Sequence, residues 1–362
     1  CQEALEPGMK VIKNKDGVRN SHTSHAEVMF SLDGKPQENA GCVIGAALCY
    51  SGNYKLRIDT HDDEYHRFFA GINEENSAYS LKKDEIFRTP ELALTYSNEG
   101  LSGSSRNFHR WARLHKLAHG TVSRKILLNS WEGVYFDVNQ AGMDQMMSDI
   151  ASMGGELFVM DDGWFGDKYP RKNDSSSLGD WVVDKNKLPN GIEGLLKDAQ
   201  KNGVKFGIWI EPEMANTTSE FYEKHPDWVI KAPERDVVQG RGGTQVVLDL
   251  ANPQVQEFIF KIVDDLMSNY PEIDYIKWDH NKYVTEAVSP RTGRPAVHNQ
   301  TLAVYRIFTD LKAAHPGLEI ESCSSGGGRV DLGILEVADR IWGSDCVDPV
   351  ERADIQRYTS LL

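Results

Sequence analysis

The chain has 362 residues, of which 40% are hydrophobic and 26% are charged, a size and composition that suit one large barrel or two domains with separate cores. Its formal net charge of -14 argues against nucleic acid as a partner, because binding of phosphates needs clustered lysine and arginine side chains. A neutral substrate fits this charge better.

No run of about 18 apolar residues predicts a membrane span, and the first ten residues, CQEALEPGMK, lack the apolar core of a signal peptide. The five cysteines are an odd number without CxxC spacing, which favours reduced thiols over a disulfide framework or a zinc site. We therefore expect a soluble protein and favour the cytoplasm over a periplasmic or secreted location.

Residues 1–100 have the pattern of antiparallel sheet. Short β-type runs are separated there by Gly, Asn and Asp turns, and the runs are HAEVMFSLDG, GCVIGAALCYSG, YKLRID and YHRFFAGIN. A helical stretch, NFHRWARLHKLAHG, follows within a predicted helical linker at residues 101–124. The sequence thus predicts a β-rich module and a connecting helix.

From residue 125 to 362, apolar strands alternate with amphipathic helices, a rhythm typical of parallel sheet. The predicted strands are KILLNSWE, GELFVMDDGW, VKFGIWIEPEM, TQVVLDL, IDYIKWDHN, LEIESCSSGG and DRIWGSDCVD. Seven βα units without a GxGxxG fingerprint favour a (β/α)8 barrel over a doubly wound sheet. Because only seven units are seen, we expect a barrel truncated before its eighth strand.

Carboxylates dominate the predicted strand ends, which in such a barrel open onto the active-site face. The polar residues at these ends are Asp161, Asp162, Glu211, Glu213, Asp249, Lys277, Asp279, His280, Asn281, Glu321, Cys323, Asp345 and Asp348. No GxSxG elbow or HExxH helix is present, so serine hydrolase and zinc protease chemistry have no support. Paired acids and a neutral substrate indicate glycoside hydrolysis.

Tryptophans accompany these acids. Five of them fall at or near predicted strand ends, namely Trp131, Trp164, Trp209, Trp278 and Trp342. Their ring faces could pack on the C–H faces of a sugar, or the rings could be large core residues that cap the barrel.

Eight ordered motifs resemble the catalytic barrel of glycoside hydrolase family 36, the alpha-galactosidases or melibiases. The motifs are FVMDDGWFG, SLGDWVVDKNKLPNG, FGIWIEPEM, HPDWVI, QVVLDL, YIKWDHN, ESCSSGGGR and IWGSDCVDPVER, and the match covers about residues 90–362. Residues 1–100 resemble the last part of that family's N-terminal β-sandwich. The resemblance implies a retaining alpha-galactosidase that acts on melibiose or raffinose-type oligosaccharides and needs no cofactor or metal. It also implies a homo-oligomer, with a tetramer as a common form.

The resemblance also assigns roles. Asp279 matches the nucleophile and Asp345 the general acid/base. The substrate-binding residues that it implies are Asp161, Asp162, Trp209, Arg241, Lys277, Asn281, Cys323 and Gly326. Lys277 lies two residues before Asp279 on the same strand, so it points to the same side and is expected to lower the pKa of Asp279.

Alternatives to these roles stay open at this point. Asp348 competes with Asp345 as the acid, unless it caps the helix that begins at Pro349. Glu211 and Glu213 could support the site through hydrogen bonds, and Asp249 could be a structural acceptor.

Two other activities also remain: an alpha-N-acetylgalactosaminidase of the same family, and a barrel enzyme that holds Mg²⁺ on Asp161, Asp249 and Asp279 to stabilise an enolate. A sugar-binding protein without activity is a further alternative.

Overall fold

The computed structural model describes residues 2–62 and 65–361, and Cys1 therefore lies outside the described residues. The chain forms two compact units. Unit 1 consists of residues 1–121, 326–337 and 343–362, and unit 2 consists of residues 122–325 and 338–342. The described cysteines Cys42, Cys49, Cys323 and Cys346 are free thiols, as the sequence predicted.

Unit 1 contains two antiparallel sheets. Their strands are β1 (Gly8–Lys13), β2 (Glu27–Ser31), β3 (Val43–Cys49), β4 (Tyr54–Thr60), β5 (His66–Ile72) and β6 (Glu91–Ser97). The strand orders are β1-β4-β5 and β2-β3-β6, and every pairing is antiparallel. A core cluster around Leu48, Tyr50 and Tyr54 packs beneath them. The predicted antiparallel module is confirmed, although the sequence pattern did not reveal β1 and β6.

The first helix begins earlier than predicted. Helix α1 (Gly100–Trp111) is followed by a π-helical turn (Ala112–Lys116), whereas the expected helix covered residues 107–120. The missed part is GLSGSS, a poor helix former by composition. Close packing accounts for its small residues, because a Cβ at Gly103 would lie 2.0 Å from Ser97 Oγ, and Ser104 lies so near β3 that a Cβ at Gly45 would come within 2.5 Å of its Oγ. Tertiary packing therefore overrides local propensity here.

Unit 2 has alternating strands and helices. Its strands are β7 (Leu127–Asn129), β8 (Leu157–Met160), β9 (Lys205–Ile210), β10 (Met214–Asn216), β11 (Gln245–Val247), β12 (Ile273–Trp278), β13 (Val288–Ser289), β14 (Arg294–Pro295), β15 (Glu319–Ser322) and β16 (Arg340–Ile341). Its α-helices are α2 (Trp131–Val134), α3 (Gln140–Ser152), α4 (Gly191–Asn202), α5 (Glu220–Lys224), α6 (Pro253–Asn269) and α7 (Val297–Ala314). Short 3-10 turns cover Arg241–Gly243 in unit 2 and Ile334–Glu336 in unit 1.

Six strands form one parallel sheet in the order β7-β8-β9-β12-β15-β16. α-Helices lie between successive strands of this sheet from β7 to β15, and a 3-10 turn lies between β15 and β16, an alternation typical of a (β/α)8 barrel. Leu127, Leu157, Val159 and Tyr275 form a cluster on one face of this sheet. Side chains alternate along a strand. A residue that follows a member of this cluster by two or four positions on the same strand therefore lies on the same face.

The predicted strand TQVVLDL is confirmed in part as β11, but its predicted place in the parallel sheet is wrong. Residues 245–247 form β11, which pairs antiparallel with β10, and β12 pairs directly with β9. Met214 pairs with Val247, so this apolar segment pairs with the chain that leaves β9 and not with the parallel sheet. A short apolar run has the same pattern in either arrangement, which is why the sequence did not distinguish them.

Helix α8 (Pro349–Thr359) belongs to unit 1 and begins at the predicted residue. The Asp348 carboxylate accepts hydrogen bonds from Val350 N at 2.9 Å and Glu351 N at 3.0 Å. Asp348 is therefore the N-cap of α8, with Pro349 in the first turn.

Candidate active site

Polar side chains lie on the inner face of the parallel sheet, at the carboxyl ends of its strands. Lys277 on β12 is in register with Trp209 on β9 and with Glu321 on β15. Asp279 follows β12 on the same side of the chain as Lys277, and Asp161 follows β8. The period of two along each strand brings these residues together.

Four groups surround the Asp279 carboxylate. Trp209 Nε1 donates to Oδ2 at 3.1 Å, and Asn281 Nδ2 donates to the same oxygen at 2.8 Å. His280 N donates to Oδ1 at 2.8 Å, and Ser325 N does so at 3.3 Å. Asp279 is only 6% exposed, so these donors replace the water that a carboxylate would otherwise bind.

The environment keeps Asp279 ionised. Burial by itself would raise the pKa of this carboxyl, but the Lys277 charge and the hydrogen bonds from Asn281, Trp209 and His280 outweigh burial and hold the pKa below its ordinary value. The predicted effect of Lys277 on the pKa of Asp279 is confirmed in direction.

Lys277 itself forms an ion pair with Asp161. Its Nζ lies 2.7 Å from Asp161 Oδ2, and both side chains are buried. Asn129 Nδ2 donates to the same Asp161 oxygen at 2.6 Å. Burial would lower the pKa of Lys277, but the Asp161 charge and other nearby groups raise it well above its ordinary value. Lys277 is therefore a permanent cation between Asp161 and Asp279.

Asp162 is paired with an arginine from the following loop. Arg171 Nε donates to Oδ1 at 2.9 Å and Nη2 to Oδ2 at 2.6 Å, which is the two-point geometry of a strong ion pair. Burial raises the pKa of Asp162, with Arg171 opposing that effect. Arg171 is 1% exposed and also donates to Asn216 Oδ1 at 3.2 Å.

Glu211 and Glu213 hold the segment around Asp279 in place. Glu211 accepts from Asn281 N, while Glu213 accepts from Trp278 Nε1 at 2.8 Å and lies 3.1 Å from His280 Nδ1. Burial, and then the Asp279 charge, raise the pKa of Glu211 to about 8. Both glutamates thus support the site through hydrogen bonds. This is the role that the sequence offered for them as an alternative.

Asn281 connects Asp279 to the loop after β15. Its Oδ1 accepts from Ser325 N at 3.0 Å and from Ser325 Oγ at 2.7 Å, while its Nδ2 contacts Asp279. Cys323 is buried just beyond β15, where its N donates to Trp278 O at 2.9 Å. Cys323 also contributes to the electrostatic environment of Lys277.

Three predicted site residues remain: Arg241, Asp345 and Gly326. Arg241 is in the 3-10 turn, and its Nε lies 3.0 Å from Asp174 Oδ1. Asp345 and Gly326 both belong to unit 1. Gly326 has a φ of +77°, and a Cβ at this residue would lie 2.6 Å from the Asp345 backbone nitrogen.

Two residues from the predicted strand ends have structural environments. Asp249 is buried and accepts from Ser289 Oγ at 2.6 Å and from Ala251 N at 3.0 Å, so it is a structural acceptor. Trp278 is also buried, but its ring packs edge to face on Phe308 of α7, with 4.7 Å between centroids. Trp278 therefore belongs to the core between the sheet and helix α7. For this tryptophan, the interpretation as a large core residue applies.

Two contacts to the site were missed. Asn129 ends β7, so the same strand-end argument would have found it. Arg171 lies in an irregular loop, where no periodicity shows which way a side chain points.

Within residues 2–62 and 65–361, no three His, Cys, Asp or Glu side chains are grouped so that they could hold a metal ion. In the same part of the chain, no helix has the length and apolar character that crossing a membrane requires.

Family models match nearly the whole chain. A model described as Melibiase matches residues 86–362, and a model of the glycosyl hydrolase family 36 N-terminal domain matches residues 1–82. The chain belongs to the melibiase family. The predicted family and fold class, a (β/α)8 barrel preceded by antiparallel sheet, are thereby confirmed. The boundaries of the domains at residues 100 and 125 stay predictions.

The similar proteins are alpha-galactosidases of about twice the length. Alpha-galactosidase C of Emericella nidulans is 40% identical over 357 residues, which are 95% of this chain and 47% of that protein. Alpha-galactosidase AgaA of Geobacillus stearothermophilus is 40% identical over 365 residues, covering 99% and 49% of the two chains. This melibiase chain thus spans about half the length of the curated relatives it matches.

Solved melibiase structures have the same fold. The crystal structure of AgaA from Geobacillus stearothermophilus superposes with a TM-score of 0.93 at 37% sequence identity, covering 99% of this chain and 49% of the other. The alpha-galactosidase of Lactobacillus brevis gives the same TM-score and identity, covering 99% and 48%. A variant of AgaA has been crystallised in complex with raffinose.

Proposed function

We propose that this melibiase removes terminal alpha-linked galactose from oligosaccharides such as melibiose and raffinose, with retention of configuration. The observation that carries this proposal is the environment of Asp279, a buried carboxylate kept ionised by Lys277 and three hydrogen-bond donors. A nucleophile in glycoside hydrolysis must be ionised and free of bulk water at the moment of attack. The raffinose complex of the related AgaA supports the substrate class.

In the proposed first step, an Asp279 oxygen attacks the anomeric carbon while Asp345 gives its proton to the glycosidic oxygen. The bond from the anomeric carbon to the leaving oxygen breaks, and an ester bond to Asp279 forms. In the second step, Asp345 takes a proton from water, the water oxygen attacks the anomeric carbon, and Asp279 leaves as a carboxylate. Two inversions give net retention.

The other predicted residues bind the sugar in this proposal. Asp161 and Asp162 accept hydrogen bonds from sugar hydroxyls, while Arg171 holds the Asp162 carboxylate in place. Trp209 orients Asp279 and forms a wall of the pocket. The roles of Arg241, Lys277, Asn281, Cys323 and Gly326 as substrate contacts, the homo-oligomer and the cytoplasmic location stay predictions.

Azide rescue of Asp279→Ala tests the proposed nucleophile in the complete protein. We expect Asp279→Ala to lose activity on p-nitrophenyl alpha-galactoside by a factor of the order of 10⁴ or more. Added azide would attack from the face that Asp279 has vacated, releasing p-nitrophenolate and giving β-galactosyl azide. Asp274→Ala is the matched control, because Asp274 lies on the same strand and pairs with Lys205, far from the carboxyl end.

Undiminished activity of Asp279→Ala would overturn the assignment. An assay of the parent protein on the 2-acetamido analogue separates the two activities of the family, because a galactosidase is expected to cleave that analogue far more slowly than the galactoside.

A further inference from the structure

Part of the chain after β15 is bound to the N-terminal antiparallel module within unit 1. Residues 326–337 are called the docked segment here. Ser21 N donates to Gly328 O at 3.0 Å, and Ser21 Oγ donates to Val330 O at 2.8 Å. Val330 N donates back to Ser21 Oγ at 2.9 Å. Three hydrogen bonds to one serine fix the backbone of the docked segment at residues 328–330.

Asp331 is the centre of a second group of contacts. Its carboxylate accepts from Ser51 Oγ at 2.8 Å and from Asn20 Nδ2 at 3.1 Å, and both donors belong to the N-terminal module. The same carboxylate accepts from Gly333 N and Ile334 N at 2.7 and 3.0 Å, which begins the 3-10 turn of the docked segment. Asp331 is 3% exposed, so releasing it would leave a buried carboxylate without donors.

Lys116 adds an ionic contact at the end of the docked segment. Its Nζ lies 2.6 Å from Glu336 and 2.9 Å from Glu91, and its side chain is 7% exposed. The Glu91 and Glu336 side chains are 55% and 58% exposed, so this contact adds only modestly to the hydrogen bonds of Ser21 and Asp331.

The docked segment in turn lies against the loop that carries Asp345. A Cβ at Gly326 would lie 2.6 Å from Asp345 N, and a Cβ at Gly327 would lie 2.4 Å from Gly343 O. Only a hydrogen atom fits at these two positions, so the two backbones are in direct contact. From the other side, Arg352 of α8 donates to Ser344 O at 2.7 Å.

We propose that the N-terminal antiparallel module positions the proton donor of the reaction, with Asp331 as the positioning residue that fixes the docked segment and thereby the backbone of Asp345. This inference rests on the proposed function, in which Asp345 is the general acid/base. It gives the N-terminal module a part in proton transfer, through contacts that lie entirely within unit 1.

The dependence of rate on the leaving group tests this proposal. Asp331→Asn keeps the shape of the side chain but places an NH₂ group against the Asn20 or Ser51 donor. Melibiose has a leaving group that needs protonation, whereas p-nitrophenolate needs almost none. We expect Asp331→Asn to lower kcat/KM for melibiose about 10- to 100-fold more than kcat/KM for p-nitrophenyl alpha-galactoside.

Azide provides a second readout on the same variant. Azide needs no general base, so it should raise the kcat of Asp331→Asn on the p-nitrophenyl substrate and give alpha-galactosyl azide. If Asp331→Asn does not fold, Ser21→Ala replaces it in this test. Ser21→Ala removes the hydroxyl contacts to Val330 and should show the same dependence on the leaving group and on azide. Asn73→Ala is the control, because Asn73 is also buried in the N-terminal module but bonds to Asn14 O and Glu75 N.

If Asp331→Asn lowers kcat/KM equally on both substrates and azide has no effect, the proposal is overturned and Asp331 is a purely structural residue. This is the result expected for the control Asn73→Ala. Asp345→Ala, assayed in parallel, separates this failure from failure of the proposed function. If Asp345→Ala shows leaving-group dependence and Asp331→Asn does not, only the positioning role is wrong. If Asp345→Ala lacks that dependence, the acid itself has been assigned wrongly.

Discussion

Replacement of Glu211 by glutamine should change how stability depends on pH. Glu211 is 1% exposed, and burial together with the Asp279 charge raises its pKa to about 8. The folded protein therefore keeps this proton between pH 4.5 and about 8, where the unfolded chain loses it. The contribution of Glu211 to stability is present at low pH and falls as pH rises through this window.

The size of this effect follows from the two pKa values. The difference between 4.5 and about 8 corresponds to about 5 kcal/mol, at about 1.4 kcal/mol per pKa unit, and this is an upper limit. For a unit of about 200 residues, 1 kcal/mol changes Tm by about 2 to 4 °C, so the upper limit on the change in Tm is about 10 to 20 °C.

Glutamine can replace the protonated acid with little rearrangement. Gln245 Nε2 donates to Glu211 Oε2 at 3.0 Å, and among the described residues Gln245 Oε1 has no hydrogen-bond partner. Rotation of the Gln245 amide by 180° would let this oxygen accept a hydrogen bond from a protonated Glu211 or from the NH₂ group of Glu211→Gln.

Thermal unfolding of parent and variant from pH 5 to pH 9 measures the effect. We expect the Tm of Glu211→Gln relative to the parent to rise by several degrees across this range. Glu257→Gln, on the exposed face of α6, controls for the loss of one carboxylate. A difference in Tm between parent and Glu211→Gln that does not change with pH would refute a protonated Glu211.

Three further changes test neighbouring contacts. Lys277→Met should raise the pKa of Asp279 and so move the acidic limb of the pH profile of kcat/KM to higher pH; an unmoved limb would contradict the electrostatic role of Lys277. Arg171→Met should destabilise the protein by about 3 to 5 kcal/mol in urea unfolding, because it leaves the buried Asp162 carboxylate without its partner. Adding Asp162→Asn to the same chain should recover part of this loss. Asp348→Ala should cost about 1 kcal/mol through loss of the α8 cap with little effect on activity, whereas a large loss of activity would revive Asp348 as the acid.

The sequence predicted the inner face of the sheet well because period-two alternation is a local property. Lys277 and Asp279 on one strand, and Asp161 two residues beyond Val159, lie on the same side in any parallel sheet. The cap at Asp348 was predictable for the same reason, since an acid before proline at a helix start is a local signal.

Pairings between distant segments could not be predicted in this way. The antiparallel pairing of β11 with β10 depends on the path of the chain after β9, and the bond from Arg171 to Asp162 depends on an irregular loop. In the GLSGSS start of helix α1, Gly103 lies so close to Ser97 that a Cβ would not fit, and helix propensity does not express such a packing constraint.

The two acids nearest the proposed reaction centre show why burial alone does not decide a carboxyl's protonation. Asp279 and Glu211 are both buried, yet the pKa of Asp279 is lowered and that of Glu211 is raised. Asp279 has a lysine two residues away and four N–H donors, whereas Glu211 has one backbone donor and one amide donor and lies in the field of an ionised neighbour. At neutral pH these shifts favour an ionised Asp279 and a protonated Glu211, which supports Asp279 over Glu211 in the proposed role of nucleophile.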